Sequence, residues 1–130
     1  MYEKYMIVEE TLRNVKKGGK LIGFLIGIRL PYYRGVVLSL VGETEISVDG
    51  EKIPNENIVL ALGSKTYHLD RLVDEPVDKW EFGEIGILTV AKPGGVTSGN
   101  HRIDYRQHLK ISYVLGGFWG EDHKTVMLGE

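Results

Sequence analysis

The run RIDYRQHLKISYV, residues 102–114, decides the fold. Ile103, Tyr105, Leu109, Ile111 and Tyr113 fall on one side of it, and Arg102, Asp104, Arg106, His108, Lys110 and Ser112 on the other. A spacing of two sends these sets to opposite faces of a strand, one buried and one wet. Gln107 interrupts the apolar row and marks either a bulge or a change of sheet.

Working outward, the same period recurs in shorter runs. In TEISVDGEKI, Asp49-Gly50 separates Ile46 and Val48 from Ile53, a hairpin signal because a tight primed turn needs positive φ. NIVLALGSKTYHL repeats the arrangement around Gly63-Ser64. EIGILTVAKPGG reads as a strand stopped by Pro93, Gly94 and Gly95, which cannot continue a ladder. HKTVMLG gives a last short strand, and residues 6–30 a long hairpin turning at Gly18-Gly19. No stretch carries a long amphipathic helix. Turn signals every eight to twelve residues or so predict an all-β protein. The expected architecture is an immunoglobulin/fibronectin-like antiparallel β-sandwich of about seven to nine strands, one domain over residues 1–130. GNHRIDY, which opens the long alternating strand, supports that choice.

LIGFLIGI, residues 21–28, is the most apolar segment. Ile22, Phe24, Ile26 and Ile28 form a row, and Leu21, Gly23, Leu25, Gly27 and Arg29 take the opposite face. Glycine inside a strand signals a bend or a close approach by another backbone; the two glycines also leave a flat face that a partner could cover.

Composition excludes several classes. With no cysteine among 130 residues, disulfides, thiolate metal sites and cysteine nucleophiles are absent, which suits a reducing cytoplasm. A net charge of −2 provides no general attraction to nucleic acid or anionic membrane. Eight residues of LIGFLIGI are too few to span a bilayer, which takes roughly 20. MYEKYMIVEE places acids where a signal peptide has a basic region. The expected location is cytoplasmic.

Candidate chemistry is sparse. His68, His101, His108 and His123 are scattered, and the spacing of His101 and His108 puts them on opposite faces of one strand; no metal site of this chain is expected. Ser39, Ser47, Ser64, Ser98 and Ser112 sit in no triad-like setting. Glu9-Glu10 and Asp74-Glu75 read as solvated carboxylates rather than a buried pair. KKGGK and KPGG lack the strand-to-helix context of a phosphate loop. No catalytic residue is expected on this chain.

Aromatic residues in glycine- and proline-rich loops are the distinctive feature. PYYRG holds Tyr32, Tyr33 and Arg34; WEFGE holds Trp80 and Phe82; GGFWGED holds Phe118 and Trp119. Turns bury rings poorly, and tyrosine, tryptophan and arginine are enriched at binding hot spots. Tyr32, Tyr33, Arg34, Phe118 and Trp119 read as contacts to a partner or substrate. Trp80 and Phe82 either join them or cap the end of the sandwich.

These pieces together resemble the small (beta) subunit of C-glycoside deglycosidases. The resemblance is carried by YMIVEETLRNV, PYYRG, SVDGE, TYHLD, WEFGE, LTVAKPGG and LKISY in their order and spacing. LIGFLIGI departs from it by being more apolar. The resemblance implies a hetero-oligomer with a catalytic alpha subunit, a TIM barrel holding a divalent metal ion, manganese. It implies as substrate a 3-oxo-C-glycoside of a flavonoid or isoflavonoid, at or near the interface. A base removes the acidified proton at C2 while the metal steadies the enolate oxygen, and the aglycone carbon leaves from C1. That is a carbon–carbon lyase to which this chain lends support, not catalytic groups or a cofactor. The alternative is an immunoglobulin-like module binding carbohydrate or protein with no part in catalysis.

Overall fold

The computed structural model describes residues 5–32, 34–111 and 117–129, with Phe118 described by its backbone alone. Among them run eleven strands: β1 (Ile7–Lys17), β2 (Lys20–Ile28), β3 (Val36–Val37), β4 (Val41–Val48), β5 (Glu51–Ile53), β6 (Ile58–Leu62), β7 (Lys65–His68), β8 (Lys79–Trp80), β9 (Gly86–Ala91), β10 (Asn100–Leu109) and β11 (Phe118–Met127). They form three antiparallel sheets, in the orders β1-β2-β9-β6-β7, β11-β10-β4-β5 and β3-β8. Short 3₁₀ turns occupy Leu38–Leu40, Asn55–Asn57 and Leu69–Asp74. The count exceeds the expected seven to nine because β3 and β8 have only two residues each, too few to display a period.

The turns form as their residues require. Gly18 and Gly19 have φ of +60° and +79°, and Asp49 and Gly50 of +52° and +85°. Two successive positive φ values make the primed turn whose twist matches paired strands.

The two larger sheets share one core. Phe24, Ile26, Leu60 and Leu88 of the first and Ile46, Ile103 and Tyr105 of the second belong to a single buried cluster. On β10, His101, Ile103, Tyr105, Gln107 and Leu109 are all buried, which bears out the alternation up to Lys110; residues 112–116 lie outside the described residues.

Gln107 does mark a bulge. β10 pairs Gln107 with Thr44 but Leu109 with Val41, so β4 carries an extra residue there. The misaligned carbonyls of Gly42 and Glu43 accept from Gln107 Nε2 at 3.2 and 3.0 Å, while Thr44 Oγ1 and the Tyr105 hydroxyl each donate to its Oε1 at 2.6 Å. A buried amide is tolerated in the core because all its hydrogen bonds are made.

β1 links the larger sheets. It leaves the β2 ladder between Val8 and Arg13 and runs beside β11. There Ile7 N–H donates to Asp122 Oδ2 at 2.9 Å, Lys124 Nζ donates to Ile7 O at 3.2 Å and to Asp122 Oδ2 at 2.6 Å, and Gly129 N–H donates to Leu12 O at 2.8 Å. The outer face of the five-stranded sheet carries Leu25, Thr89 and Val59 in one register row and Gly27, Ile87 and Ala61 in the next. On that face Gly23 lies so close to the next strand that a Cβ would land on the Val90 carbonyl oxygen.

Candidate functional site

The two-stranded sheet fixes one end of the molecule. Val36 pairs with Trp80 and Val37 with Lys79, which brings loop 30–35 against loop 81–85. Gly35 packs on the Glu81 side chain, which would have to swing aside for a Cβ. Buried Pro31 sits against Gly120 of β11 in the same way.

Within WEFGE the chain folds back on itself. Trp80 is 0% exposed and its Nε1–H donates to Glu84 O at 2.8 Å; Glu84 N–H donates to Glu81 O at 3.1 Å, and Glu81 N–H to Glu84 Oε1 at 3.0 Å. Gly83, with φ of +76°, completes the turn and leaves Phe82 at its tip, 55% exposed. Phe82 and Gly83 face Tyr5, Arg29 and Leu30 across a hollow of about 390 Å³. Arg29 Nη1 donates to Tyr5 O at 3.4 Å. The result is an exposed patch of two aromatic rings beside a guanidinium.

The structure thus joins PYYRG to WEFGE and divides the residues within each. Tyr32 is half-buried and packs on the core, whereas Arg34 is exposed. Trp80 is a core residue, so its ring has no face left for a partner. Tyr33 and the Phe118 side chain lie outside the described residues. Tyr5 and Arg29 complete the patch; neither stands in an aromatic loop, so only the strand pairing reveals them.

Trp119 goes elsewhere. Gly120 turns inward to Pro31, so Trp119 turns to the outer face of the four-stranded sheet, opposite His108 in the ladder. The Arg106 guanidinium lies over the indole, 4.3 Å from its centroid, and the His108 ring is 5.1 Å away, tilted by 44°. A cation over an indole face holds both groups in place. His108 is seated between Gly42 and Gly117, since a Cβ on either would collide with its imidazole. Beside it opens a cleft of about 540 Å³, with Leu69 and Leu72 in its wall. Arg106 and His108 were readable as a polar strand face, but not as the neighbours of an indole.

His101, at the opposite end of β10, is a structural residue. Its Nδ1 lies 2.6 Å from Asp49 Oδ2 and its Nε2 2.6 Å from Thr97 O. Both nitrogens face acceptors, so the charged ring fits best. The Asp49 hydrogen bond, then the Thr97 carbonyl, raises the His101 pKa against the opposing effect of burial. The His101 hydrogen bond, then the Arg102 N–H, lowers that of Asp49. The raised histidine pKa makes this contribution full below the unfolded value of about 6.5 and lost as pH rises through the folded pKa; the lowered carboxylate removes it only as pH falls through the folded pKa of Asp49. Thermal melts should therefore show wild type losing stability relative to His101→Gln as pH rises from about 6 to about 9. A constant difference over that range would mean the ring is not charged in the fold.

Among the described residues no group of three or more His, Asp or Glu could hold a metal ion. Both nitrogens of His101 are occupied, and His108 points to the other face of the same strand. The described residues of this chain do not fit a metal centre. Nor does any described helix have the length and apolarity to cross a membrane.

Residues 2–113 match the family model described as C-glycoside deglycosidase beta subunit. The chain is 33% identical over 113 residues to the C-glycoside deglycosidase beta subunit of Eubacterium cellulosolvens, covering 86% of this chain and 77% of that protein. It is 24% identical over 103 residues to a protein of the same description from Arthrobacter globiformis, covering 77% and 79%. With the family model matching most of its length, the chain belongs to the C-glycoside deglycosidase beta subunit family.

Proposed function

We propose that this chain is the noncatalytic subunit of a carbon–carbon lyase that releases an aromatic aglycone from a 3-oxo-C-glycoside. The metal ion, manganese, and the general base belong in this reading to a TIM-barrel alpha subunit. The chain's part is to dock on that subunit, rigidify its active-site mouth and exclude water. The observation that carries the docking role is the patch of Tyr5, Phe82 and Arg29 with Arg34 nearby, held by the β3–β8 pairing. Aromatic rings and guanidinium groups on a fixed backbone are what interface hot spots use. Two facing sheets around one core support the immunoglobulin-like reading of the sandwich, and a cysteine-free chain suits a cytoplasmic complex.

Co-expression with the alpha subunit tests this. A stable hetero-oligomer should form and cleave a 3-oxo-C-glycoside, while the lone chain stays inactive; cleavage by the lone chain without partner or metal would overturn the division of roles. Phe82→Ala and Arg34→Ala should each weaken association by about 2 kcal/mol, roughly thirtyfold, with the melting temperature of the free chain unchanged. Titration calorimetry of the two subunits reads that loss directly.

A further inference from the structure

We propose that the cleft beside Trp119 binds a neutral, hydroxyl-rich ring, the chemistry of a monosaccharide unit. The cleft carries this by itself, and it goes beyond the docking role, which uses Tyr5, Arg29, Arg34 and Phe82, none of them in the cleft lining.

Four features point to it. First, the indole of Trp119 is 37% exposed and clamped by Arg106, a platform whose position is set before any ligand arrives. The negative face of an indole attracts the weakly positive C–H edges of a sugar ring. Second, Asn55 lines the cleft, and its Oδ1 is covered and accepts no hydrogen bond from the protein, so a turn of the amide toward a donor in the cleft breaks no bond of that oxygen. A buried acceptor of this kind calls for a donor. Third, Glu43 and Asp70 also line the cleft. With Asn55 they supply acceptors, and Lys110 in the same lining supplies a donor, a mixture that suits several hydroxyl groups. Fourth, the His108 imidazole is fixed in its slot between Gly42 and Gly117, so the polar wall is as rigid as the aromatic one. A few placed polar groups around an apolar and aromatic surface are the usual composition of a small-molecule site. A flat phenol would offer too few donors for these acceptors.

The test is a titration of the full chain with methyl β-D-glucopyranoside, followed by the amide shifts of Gly42, Gly117 and Gly120, with resorcinol titrated in parallel. Saturable shifts at millimolar glucoside are expected. Trp119→Ala and Asn55→Leu should each weaken binding about tenfold, and thermal melts establish that each variant is folded. Should one variant fail to fold, Asp70→Asn on the rim, expected to weaken binding severalfold, replaces it. Shifts that do not saturate, equal affinity in the folded variants, or saturation by resorcinol in place of the glucoside would each overturn the proposal. None of these outcomes bears on subunit association, which is measured separately with Phe82 and Arg34 variants.

Discussion

Trp80→Ala is expected to lower the unfolding free energy by about 3–5 kcal/mol, the range for deleting a fully buried large aromatic side chain. The indole is 0% exposed and lies against Gly86, where a Cβ would come within 2.6 Å of its Cζ2. The surrounding backbone is tied into ladders on two sheets and has little freedom to collapse into the space left. The Glu84 carbonyl, which accepts the indole N–H at 2.8 Å, would also lose its partner. Trp80→Phe keeps most of the volume and should cost about 1–2 kcal/mol, chiefly the lost hydrogen bond. Urea unfolding of both variants reads these values. A cost for alanine below about 1 kcal/mol, normal for an exposed residue, would put the ring outside the core. The contrast with Phe82 separates two roles within one pentapeptide: one ring holds the loop, and the other is held out by it.

The second large effect concerns LIGFLIGI. Gly23→Ala should destabilise by about 3 kcal/mol, the upper end of ordinary overpacking, and Gly27→Ala by about 1 kcal/mol or less. At Gly23 the obstacle is the Val90 carbonyl oxygen, a backbone atom. It cannot retreat without loosening the β2–β9 ladder, in which Gly23 pairs with Ala91. At Gly27 a Cβ would meet side chains instead, 2.8 Å from Ile85 Cγ2 and 3.0 Å from Thr11 Oγ1. Ile85 is 37% exposed and has room to turn. A new alanine also reduces the entropy of the unfolded chain by a few tenths of a kcal/mol or more, which offsets part of the strain. Denaturant midpoints of the two variants test the order. Equal costs would mean that the strands separate easily at Gly23.

Most of the framework was legible because it is periodic or punctuated. Alternation in residues 102–111 and the turns at Gly18-Gly19, Asp49-Gly50 and Gly63-Ser64 follow from local rules that each residue obeys alone. The pairing of Val36 with Trp80 is a different matter. Two-residue strands have no pattern, so nothing local distinguishes Trp80, which is buried, from Phe82, which is not. β11 is longer than HKTVMLG suggested because β10 templates it from Asn100↔Met127 to Leu109↔Phe118. That same register sets Trp119 beside His108 and Arg106, three residues that look unrelated along the chain. The aromatic loops did stand out as unusual. For Trp80 and Phe82, which ring faces inward was decided by a pairing more than forty positions away, that of Trp80 with Val36.

The strap of β1 to β11 has a consequence in time. Ile7 and Asp122 are 115 positions apart, so during synthesis β1 pairs with β2 early while its other edge waits for β11. At ribosomal rates of about 5–20 residues per second, that wait is on the order of 6–20 s. Such a long loop to close also predicts slow final folding in vitro. Until then the far edge of β1 is an open template for other strands. The charged residues Arg13, Lys16 and Lys17, all exposed on that strand, make it a poor one. The nascent chain is thereby shielded from mispairing until Asp122 and Lys124 arrive to close it.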